Sequence, residues 1–144
     1  MAKMVLDMAA MQEDFFADSA MIGIVTAMPA YHFCWQLNRH FDINFLRDPD
    51  QNIPLQKKDN YYYFPIYQYN FPNSSHKYLL YKLKNGNESL LPETRQLDFL
   101  WLIQTANPED DADQIAAELR NIPGVQLAQI LIAEQLKSIN NLLV

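Results

Sequence analysis

The sequence predicts a single α+β domain over residues 1–144, with one mostly antiparallel sheet of about five to seven strands and two main helices. Three observations predict this class: two short apolar runs, two stretches with apolar residues at helical spacing, and one segment of alternating aromatic residues. A chain of 144 residues is long enough to fold around its own core without disulfides.

Two apolar runs are expected to form the inner strands of the sheet. Residues 20–27 and residues 98–105 consist mainly of large or β-branched apolar side chains. Short runs of this kind are typical of strands that are buried on both faces. We therefore expect the two strands to lie side by side at the centre of the sheet.

A helix is predicted directly after the first inner strand. Pro29 suits the first position of a helix, where its missing N–H is not needed, and the helix is expected to reach about Phe41. The apolar stripe of this helix is predicted to contain Tyr31, Cys34, Leu37 and Phe41. Residues 43–46 are then expected to form a short strand.

Residues 60–71 are unusually aromatic, and their alternation predicts a strand. Pro65 cannot donate a ladder hydrogen bond, so the strand is expected at a sheet edge or with a bulge. One face is predicted to carry Tyr61, Tyr63, Tyr67, Tyr69 and Phe71, and the other Tyr62, Phe64 and Ile66. Five aromatic side chains on one face exceed what one core layer commonly needs, which makes this face the candidate interface. The alternative is that a helix and loops of the same chain cover both faces.

The second half of the chain continues with strands, a hairpin and a helix. A strand is predicted over residues 76–84, followed by a hairpin at Asn85-Gly86 and a short strand that ends near Leu91. The second helix is expected to begin at Pro108, with Asn107 as its N-cap, and to stop at Pro123-Gly124. Its apolar stripe consists of Ala112, Ile115, Ala116, Leu119 and Ile122. Residues 125–132 are predicted as the last strand.

A short internal similarity supports a more specific arrangement. Residues 26–29 and residues 105–108 both read Thr-Ala-x-Pro between an inner strand and a helix. Two β-α-β units that flank antiparallel strands have the order of a ferredoxin-like split βαβ fold, here with extra strands in the middle.

The composition disfavours several classes of function. The formal net charge is −6 and the Lys and Arg residues are scattered, so nucleic acid and anionic membranes are disfavoured as partners. The chain contains three glycines and no Gly-rich phosphate loop, and no cofactor is predicted. The histidines lack ligand spacing to Cys34 or to an acid, so no metal site is predicted. A lone cysteine and no signal peptide or apolar spanning run predict a cytoplasmic protein.

Residues 91–99 read Leu-Pro-Glu-Thr-Arg-Gln-Leu-Asp-Phe. This segment resembles the motif that names the bacterial IPExxxVDY family: Ile-Pro-Glu, three variable positions, then Val-Asp-Tyr. Pro92, Glu93 and Asp98 match outright, whereas Leu91, Leu97 and Phe99 are conservative departures. Ile22-Gly23-Ile24 and residues 34–38, 122–125 and 137–143 are also similar to family members. The resemblance implies a bacterial cytoplasmic protein and brings no substrate, cofactor or catalytic residue with it.

Glu93, Arg95 and Asp98 form the candidate polar site. Two carboxylates that converge in a cleft can carry out acid–base chemistry, with Arg95 as their ion-pair partner. The alternative is that Glu93 accepts backbone N–H bonds after Pro92 and that Asp98 ends the loop before the strand.

Three hypotheses for function follow. The first is a non-catalytic protein-interaction module, self-associating or bound to another protein through the strand over residues 60–71. The second is a small enzyme or ligand-binding protein that uses the candidate polar site, with an unidentified small molecule. The third is RNA binding by stacking of bases on the aromatic strand, which the negative charge opposes.

Overall fold

The computed structural model describes residues 16–143. Residues 1–18, for which the sequence allows a strand or a helix start, fall outside the described residues except for the last three. Within the described range, the strands are β1 (Ala20–Thr26), β2 (Leu46–Arg47), β3 (Ile53–Lys57), β4 (Asn60–Phe64), β5 (Ile66–Asn70), β6 (Lys77–Lys82), β7 (Lys84–Asn85), β8 (Glu88–Ser89), β9 (Phe99–Gln104) and β10 (Val125–Leu131). The α-helices are α1 (Ala30–Phe41) and α2 (Pro108–Leu119). The α+β prediction is confirmed.

Six strands form the main sheet in the spatial order β10-β1-β9-β6-β5-β2, and every neighbouring pair is antiparallel. The two apolar strands lie side by side as predicted, with Ile22 opposite Trp101. Because β1 lies between β9 and β10, the unit β9-α2-β10 is a split βαβ. The first half of the chain does not form a second split βαβ unit, because β2, the strand after α1, lies at the far edge of the sheet. The place beside β9 is taken by β6.

The buried face of α1 differs from the predicted stripe at one end. Phe33, Cys34 and Leu37 are buried, but Tyr31 is 77% exposed, so the prediction for Tyr31 is wrong. Phe33 and Leu37 lie four residues apart and set the centre of the buried face. At 3.6 residues per turn, Tyr31 lies about 140° away from that centre and therefore points outward. Pro29 is the N-cap rather than the first helical residue.

Helix α2 agrees with its predicted start and apolar face, but it ends at Leu119, before the predicted stop at Pro123-Gly124. It begins at Pro108 with Asn107 at the N-cap, and three acids occupy the first turn, where they complement the helix dipole. The side-chain hydroxyl of Thr105 donates a 2.6 Å hydrogen bond to Asp111, which ties the helix start to the end of β9. The five residues of the predicted stripe, Ala112, Ile115, Ala116, Leu119 and Ile122, are all buried.

The main sheet separates two apolar layers. On the helix face, α1 and α2 cover side chains that include Ile22, Ile24 and Trp101. The opposite face, here called the tail face, is covered without an α-helix. Its cover comes from β3 and β4, from the segment that includes Leu90, Leu91 and Leu97, and from C-terminal turns that bury Leu136, Ile139 and Leu142.

Both edges of the main sheet are limited in what they offer to another strand. At one edge, β2 is two residues long. At the other edge, the Arg120 guanidinium donates hydrogen bonds of 3.1 and 2.8 Å to the carbonyl of Ala128 in β10. A side chain that occupies an edge carbonyl blocks pairing there.

The predicted hairpin forms, but its two turn residues are Gly86 and Asn87, one position after the predicted Asn85-Gly86. Strands β7 and β8 pair with Lys84 opposite Ser89 and Asn85 opposite Glu88. Gly86, the first of the two turn residues, has φ +61°, a positive value that glycine adopts without strain. The strand predicted over residues 76–84 is interrupted at Leu83, whose N–H donates to the carbonyl of Asp98 at 2.9 Å.

Candidate protein-interaction surfaces

The aromatic segment 60–71 consists of two strands, so the prediction of one continuous strand is wrong. Strand β4 pairs with β3 in a separate two-stranded ribbon, whereas β5 pairs with β6 in the main sheet. Pro65 lies between the two strands. Because its nitrogen carries no hydrogen, the ladder ends there and the chain passes from one sheet to the other. Strand β3 was not predicted, since Pro54 lies inside it and few apolar residues mark it.

The ribbon β3–β4 has one face on the core and one face in solvent. Its core face consists of Ile53, Leu55, Tyr62 and Phe64. The opposite face, here called the ribbon face, consists of Pro54, Gln56, Tyr61 and Tyr63, all exposed and none charged. Tyr63 pairs with Pro54 and Tyr61 with Gln56 across the strands. Tyr61 and Tyr63 are 58% and 55% exposed, which gives this face a continuous aromatic surface.

The remaining aromatic residues of the predicted interface pack within the chain. Tyr67 and Tyr69 are partly buried against the helix-face core. The rings of Tyr69 and Phe71 are 5.1 Å apart, and Phe71 lies edge-on to Tyr78 at 4.9 Å. Burial raises the pKa of the Tyr67 hydroxyl, Cys34 adds to this effect and Arg47 opposes it. The five predicted residues therefore do not share one exposed face.

Glu93 accepts a backbone N–H, as the alternative hypothesis for this acid predicts. Its Oε2 accepts a 2.5 Å hydrogen bond from the backbone N–H of Ser138 in the C-terminal segment. Burial raises the pKa of the Glu93 carboxyl, but hydrogen bonds from the backbone of Glu93, Ser138 and Lys137 and from the Ser138 side chain lower it, and the pKa falls below its usual value. The ionised carboxylate thus holds the C-terminal segment against the loop that contains Glu93.

Asp98 connects three segments of the fold. Its Oδ2 accepts a 2.9 Å hydrogen bond from the backbone N–H of Thr26, and its Oδ1 forms a 2.9 Å ion pair with the Lys84 ammonium. Arg95 is exposed, and the ion pairs formed within residues 16–143 do not include it. Glu93 and Asp98 contact different parts of the chain, so the three candidate polar residues share no contact.

The three histidines contact neighbouring side chains, and the cysteine is buried in the core. His40 Nε2 lies 2.7 Å from Glu118 Oε2 and so connects α1 to α2. The ring of His32 lies 6.0 Å from that of Trp35, and His76 lies 6.4 Å from Phe71. Cys34 is buried, and burial raises the pKa of its thiol to about 12. Within residues 16–143, no three His, Cys, Asp or Glu residues are grouped as metal ligands.

A second exposed aromatic surface lies on α1, and the sequence reasoning missed it. Tyr31 and Trp35 are 77% and 49% exposed. The guanidinium carbon of Arg39 lies 4.7 Å from the centre of the Trp35 ring, a cation–π geometry. The spacing of four residues between Tyr31, Trp35 and Arg39 was the available signal, because it places all three on adjacent turns of one helix side.

A cleft of about 690 Å³ lies between the start of β1, the start of α2 and the end of β10. Its acidic lining residues are Asp18, Glu109, Asp110, Asp113 and Glu134. The acids in the first turn of α2 are accounted for by the helix dipole. None of the predicted interface or polar-site residues lines this cleft.

The fold and these surfaces define an α+β protein with two exposed aromatic patches, one on the ribbon and one on α1. No family model, no curated protein and no solved structure matches the chain. The resemblance to the IPExxxVDY family stays a prediction. Within the described residues, none of the helices combines the length and the apolar character needed to cross a membrane.

Proposed function

We propose that this chain is a non-catalytic protein-interaction module and that the ribbon face is its contact surface. The observation that carries the proposal is the exposure of Tyr61 and Tyr63 on a face without charged side chains. Tyrosine is enriched in interfaces because it combines a large apolar ring with a hydroxyl that remains hydrated or bonded at the rim. Single exposed apolar residues need no explanation, but these two tyrosines form one surface with Pro54 and Gln56.

The contacts of the polar candidates support this proposal over the catalytic hypothesis. Glu93 and Asp98 each accept a backbone N–H, and Asp98 also neutralises Lys84. A general acid or base needs a side chain free to meet a substrate. These carboxylates instead stabilise the ends of the loop they belong to.

A cytoplasmic setting and a protein partner belong to the same proposal. The lone thiol of Cys34 is buried, and the net charge of −6 opposes contact with phosphate backbones. The resemblance of residues 91–99 to the IPExxxVDY motif is compatible with a bacterial cytoplasmic protein. The partner is either a different protein or a second copy of the chain.

Site-specific photo-cross-linking in extract of the source cells tests the ribbon face. A photoreactive phenylalanine analogue replaces Tyr61 in one variant and Tyr63 in another, and the exposed loop residue Asn73 in a control variant. We expect one adduct of defined mass from both tyrosine positions and none from the control. A mass of two chains identifies self-association.

Competition separates a specific contact from chance proximity. Excess unmodified protein is expected to suppress the adduct, whereas excess protein with both Tyr61→Ser and Tyr63→Ser leaves it unchanged. Equal adducts at all three positions, or equal competition by both proteins, would contradict the proposal. Substitution of Tyr67 or Tyr69 is a poorer test, because both rings pack against the core and their loss also lowers stability.

A further inference from the structure

One side of α1 carries an exposed row of residues, here called the α1 ridge, made of Tyr31, Trp35 and Arg39. Residues four apart form continuous ridges along a helix, and packing of such ridges from two helices is the commonest class of helix contact. The guanidinium carbon of Arg39 lies 4.7 Å from the centre of the Trp35 ring, and the His32 ring, one turn earlier in the helix, lies 6.0 Å from it. The exposed indole is therefore held in place by its own helix.

The residue types on the ridge are those that dominate protein interfaces. Trp, Tyr and Arg are enriched among the residues whose loss weakens binding most. Trp35 remains 49% exposed and Tyr31 77% exposed, so about half of the indole and most of the Tyr31 ring are open to a partner. The ion pairs formed within residues 16–143 do not include Arg39.

The charge distribution favours a second copy of the chain as the occupant. The chain carries 17 Asp and Glu against 11 Lys and Arg, so two copies repel over most of their surfaces. None of the twelve residues of α1 is acidic. Of the acids near the helix, Glu118 contacts His40 at 2.7 Å, and the exposed Asp42 follows the last helical residue, seven positions from Trp35. Two copies can therefore approach through α1 without bringing carboxylates together.

We infer that two copies associate through their α1 ridges, with the helices antiparallel across a two-fold axis at Trp35. In this arrangement Trp35 packs against Trp35 of the second copy, and Arg39 reaches the ring of Tyr31 of the second copy. The ridge suits this pairing because Tyr31 and Arg39 are each four residues from Trp35. A parallel arrangement would set the two Arg39 side chains against each other. The inference goes beyond the proposed function, because it adds a second contact surface that does not depend on the ribbon face.

Cysteine cross-linking tests the antiparallel geometry. Tyr31→Cys and Arg39→Cys are made in separate proteins, mixed and oxidised. We expect a disulfide-linked dimer from the mixture and none from either protein alone, because equivalent positions are about 12 Å apart along the helix. Native Cys34 is buried and does not compete. Disulfide dimers from each protein alone, or no dimer from the mixture, would overturn the inference.

Sedimentation velocity on the unmodified chain gives a second test. The contact of two helices is small, so we expect a weak dimer that appears between about 10 and about 500 µM. Arg39→Ala is expected to weaken association about tenfold or more, which is ~1.4 kcal/mol. Arg95→Ala, which removes another exposed Arg without an ion pair in the described part of the chain, is the matched control and leaves association unchanged. A strict monomer throughout this range would be decisive against the inference.

Fluorescence links the dimer to Trp35 directly. Trp101 is fully buried, so iodide quenching in the native protein reports Trp35. Protection of Trp35 from iodide should increase with protein concentration and be lost with Arg39→Ala. A dimer that is abolished by Tyr61→Ser with Tyr63→Ser but not by Arg39→Ala would overturn the α1 contact and leave the proposed function standing. If only the ribbon-face cross-links fail, the proposed contact surface fails and the α1 contact remains.

Discussion

The two faces of the main sheet are covered in different ways. The helix face is closed by two regular helices whose apolar stripes pack on the sheet. The tail face is closed by turns and a ribbon, and polar bonds fasten these pieces: Tyr81 Oη donates to the carbonyl of Leu142 at 2.7 Å, and Asn141 Nδ2 donates to that of Leu90 at 2.9 Å. A helix satisfies its own backbone, whereas turns leave buried backbone groups that side chains must bond. Irregular cover therefore depends on a few specific residues.

The motif at residues 91–99 belongs mainly to the tail face, and its last residue, Phe99, packs in the helix-face core. Leu91 and Leu97 are fully buried there, and Glu93 holds the C-terminal segment. A Cβ atom on Gly23 would lie 2.7 Å from a methyl carbon of Leu97, so the motif packs directly on the glycine of β1. The packing of this fold thus accounts for Leu91, Glu93 and Leu97 of this pattern.

The largest expected effect lies on the helix face, at Trp101. Its ring is fully buried and makes edge-on contacts with Phe41, Phe45 and Tyr78, each at 5.2 Å. Trp101→Ala is expected to lower the free energy of unfolding by about 3–5 kcal/mol, because it removes these contacts and leaves a cavity. Urea unfolding followed by circular dichroism measures the change.

Trp101→Phe is the control for that experiment. The indole Nε1 is buried with no hydrogen-bond acceptor among the described residues, so phenylalanine removes an unsatisfied donor together with part of the ring. We expect its cost to be well under half that of alanine. Equal costs for the two variants would show that ring packing is not what stabilises this face.

The next effect lies on the tail face, at Gly23. Gly23→Ala places a methyl group against the buried side chain of Leu97 and within 3.2 Å of Leu131. Overpacking of this kind is expected to cost about 1–3 kcal/mol. In a double-mutant cycle with Leu97→Ala, the two costs should not add, because the second substitution removes the clash. Additive costs would disprove the direct contact.

A smaller effect is expected from Tyr81→Phe, which tests the bond to the tail. The hydroxyl is buried, and its removal leaves the Leu142 carbonyl without that donor, at a cost of about 1–2 kcal/mol. Hydrogen exchange should show faster opening of residues 136–143 than of α2. Tyr61→Phe is the matched control, and its cost is expected within about 0.5 kcal/mol because the ring is exposed. Equal exchange in both segments would show that the tail is not fastened separately.

The sequence predicted the helix face more completely than the tail face, for a physical reason. Periodic apolar spacing marks a regular layer, so β1, β9 and α2 were found with nearly their observed bounds. The tail face lacks such a period, because its covering residues come from turns and from the unpredicted strand β3. The position of Tyr31 was misjudged for a related reason, since the stripe was centred without Phe33.

The candidate surfaces were predicted only in part. Alternation correctly grouped Tyr62, Phe64 and Ile66 on the tail face, and Pro65 was expected to interrupt the strand or to place it at an edge. The consequence of that proline was not predicted, because whether a chain bends or changes sheets depends on distant pairing partners. The ribbon face therefore keeps two of the five predicted aromatic residues, and the α1 ridge was recognised only from its exposure.

The smallest expected effect concerns Glu93 and depends on pH. Because the pKa of its carboxyl is lower in the folded chain than the ordinary value of 4.5, the stabilisation is fully present above pH 4.5 and is lost as the pH falls through the lowered value. Glu93→Gln keeps an oxygen acceptor for the Ser138 N–H but removes the charge. Since Glu93 is exposed and screened by solvent, we expect it to cost at most about 1 kcal/mol at neutral pH.

The difference in stability between this variant and the unmodified chain should shrink towards zero as the pH falls through the lowered pKa of Glu93, because the protonated carboxyl is then as neutral as the glutamine. Unfolding in urea at a series of pH values from neutral into acid measures it, and Glu134→Gln controls for the loss of one exposed charge in the same C-terminal segment. A difference that stays constant with pH would mean that the charge of Glu93 does not fasten the tail. The hydrogen bond from the Ser138 N–H to Glu93 joins the motif to the C-terminal turns. That outcome would therefore also mean that a charged hydrogen bond is not needed to hold these turns on the tail face.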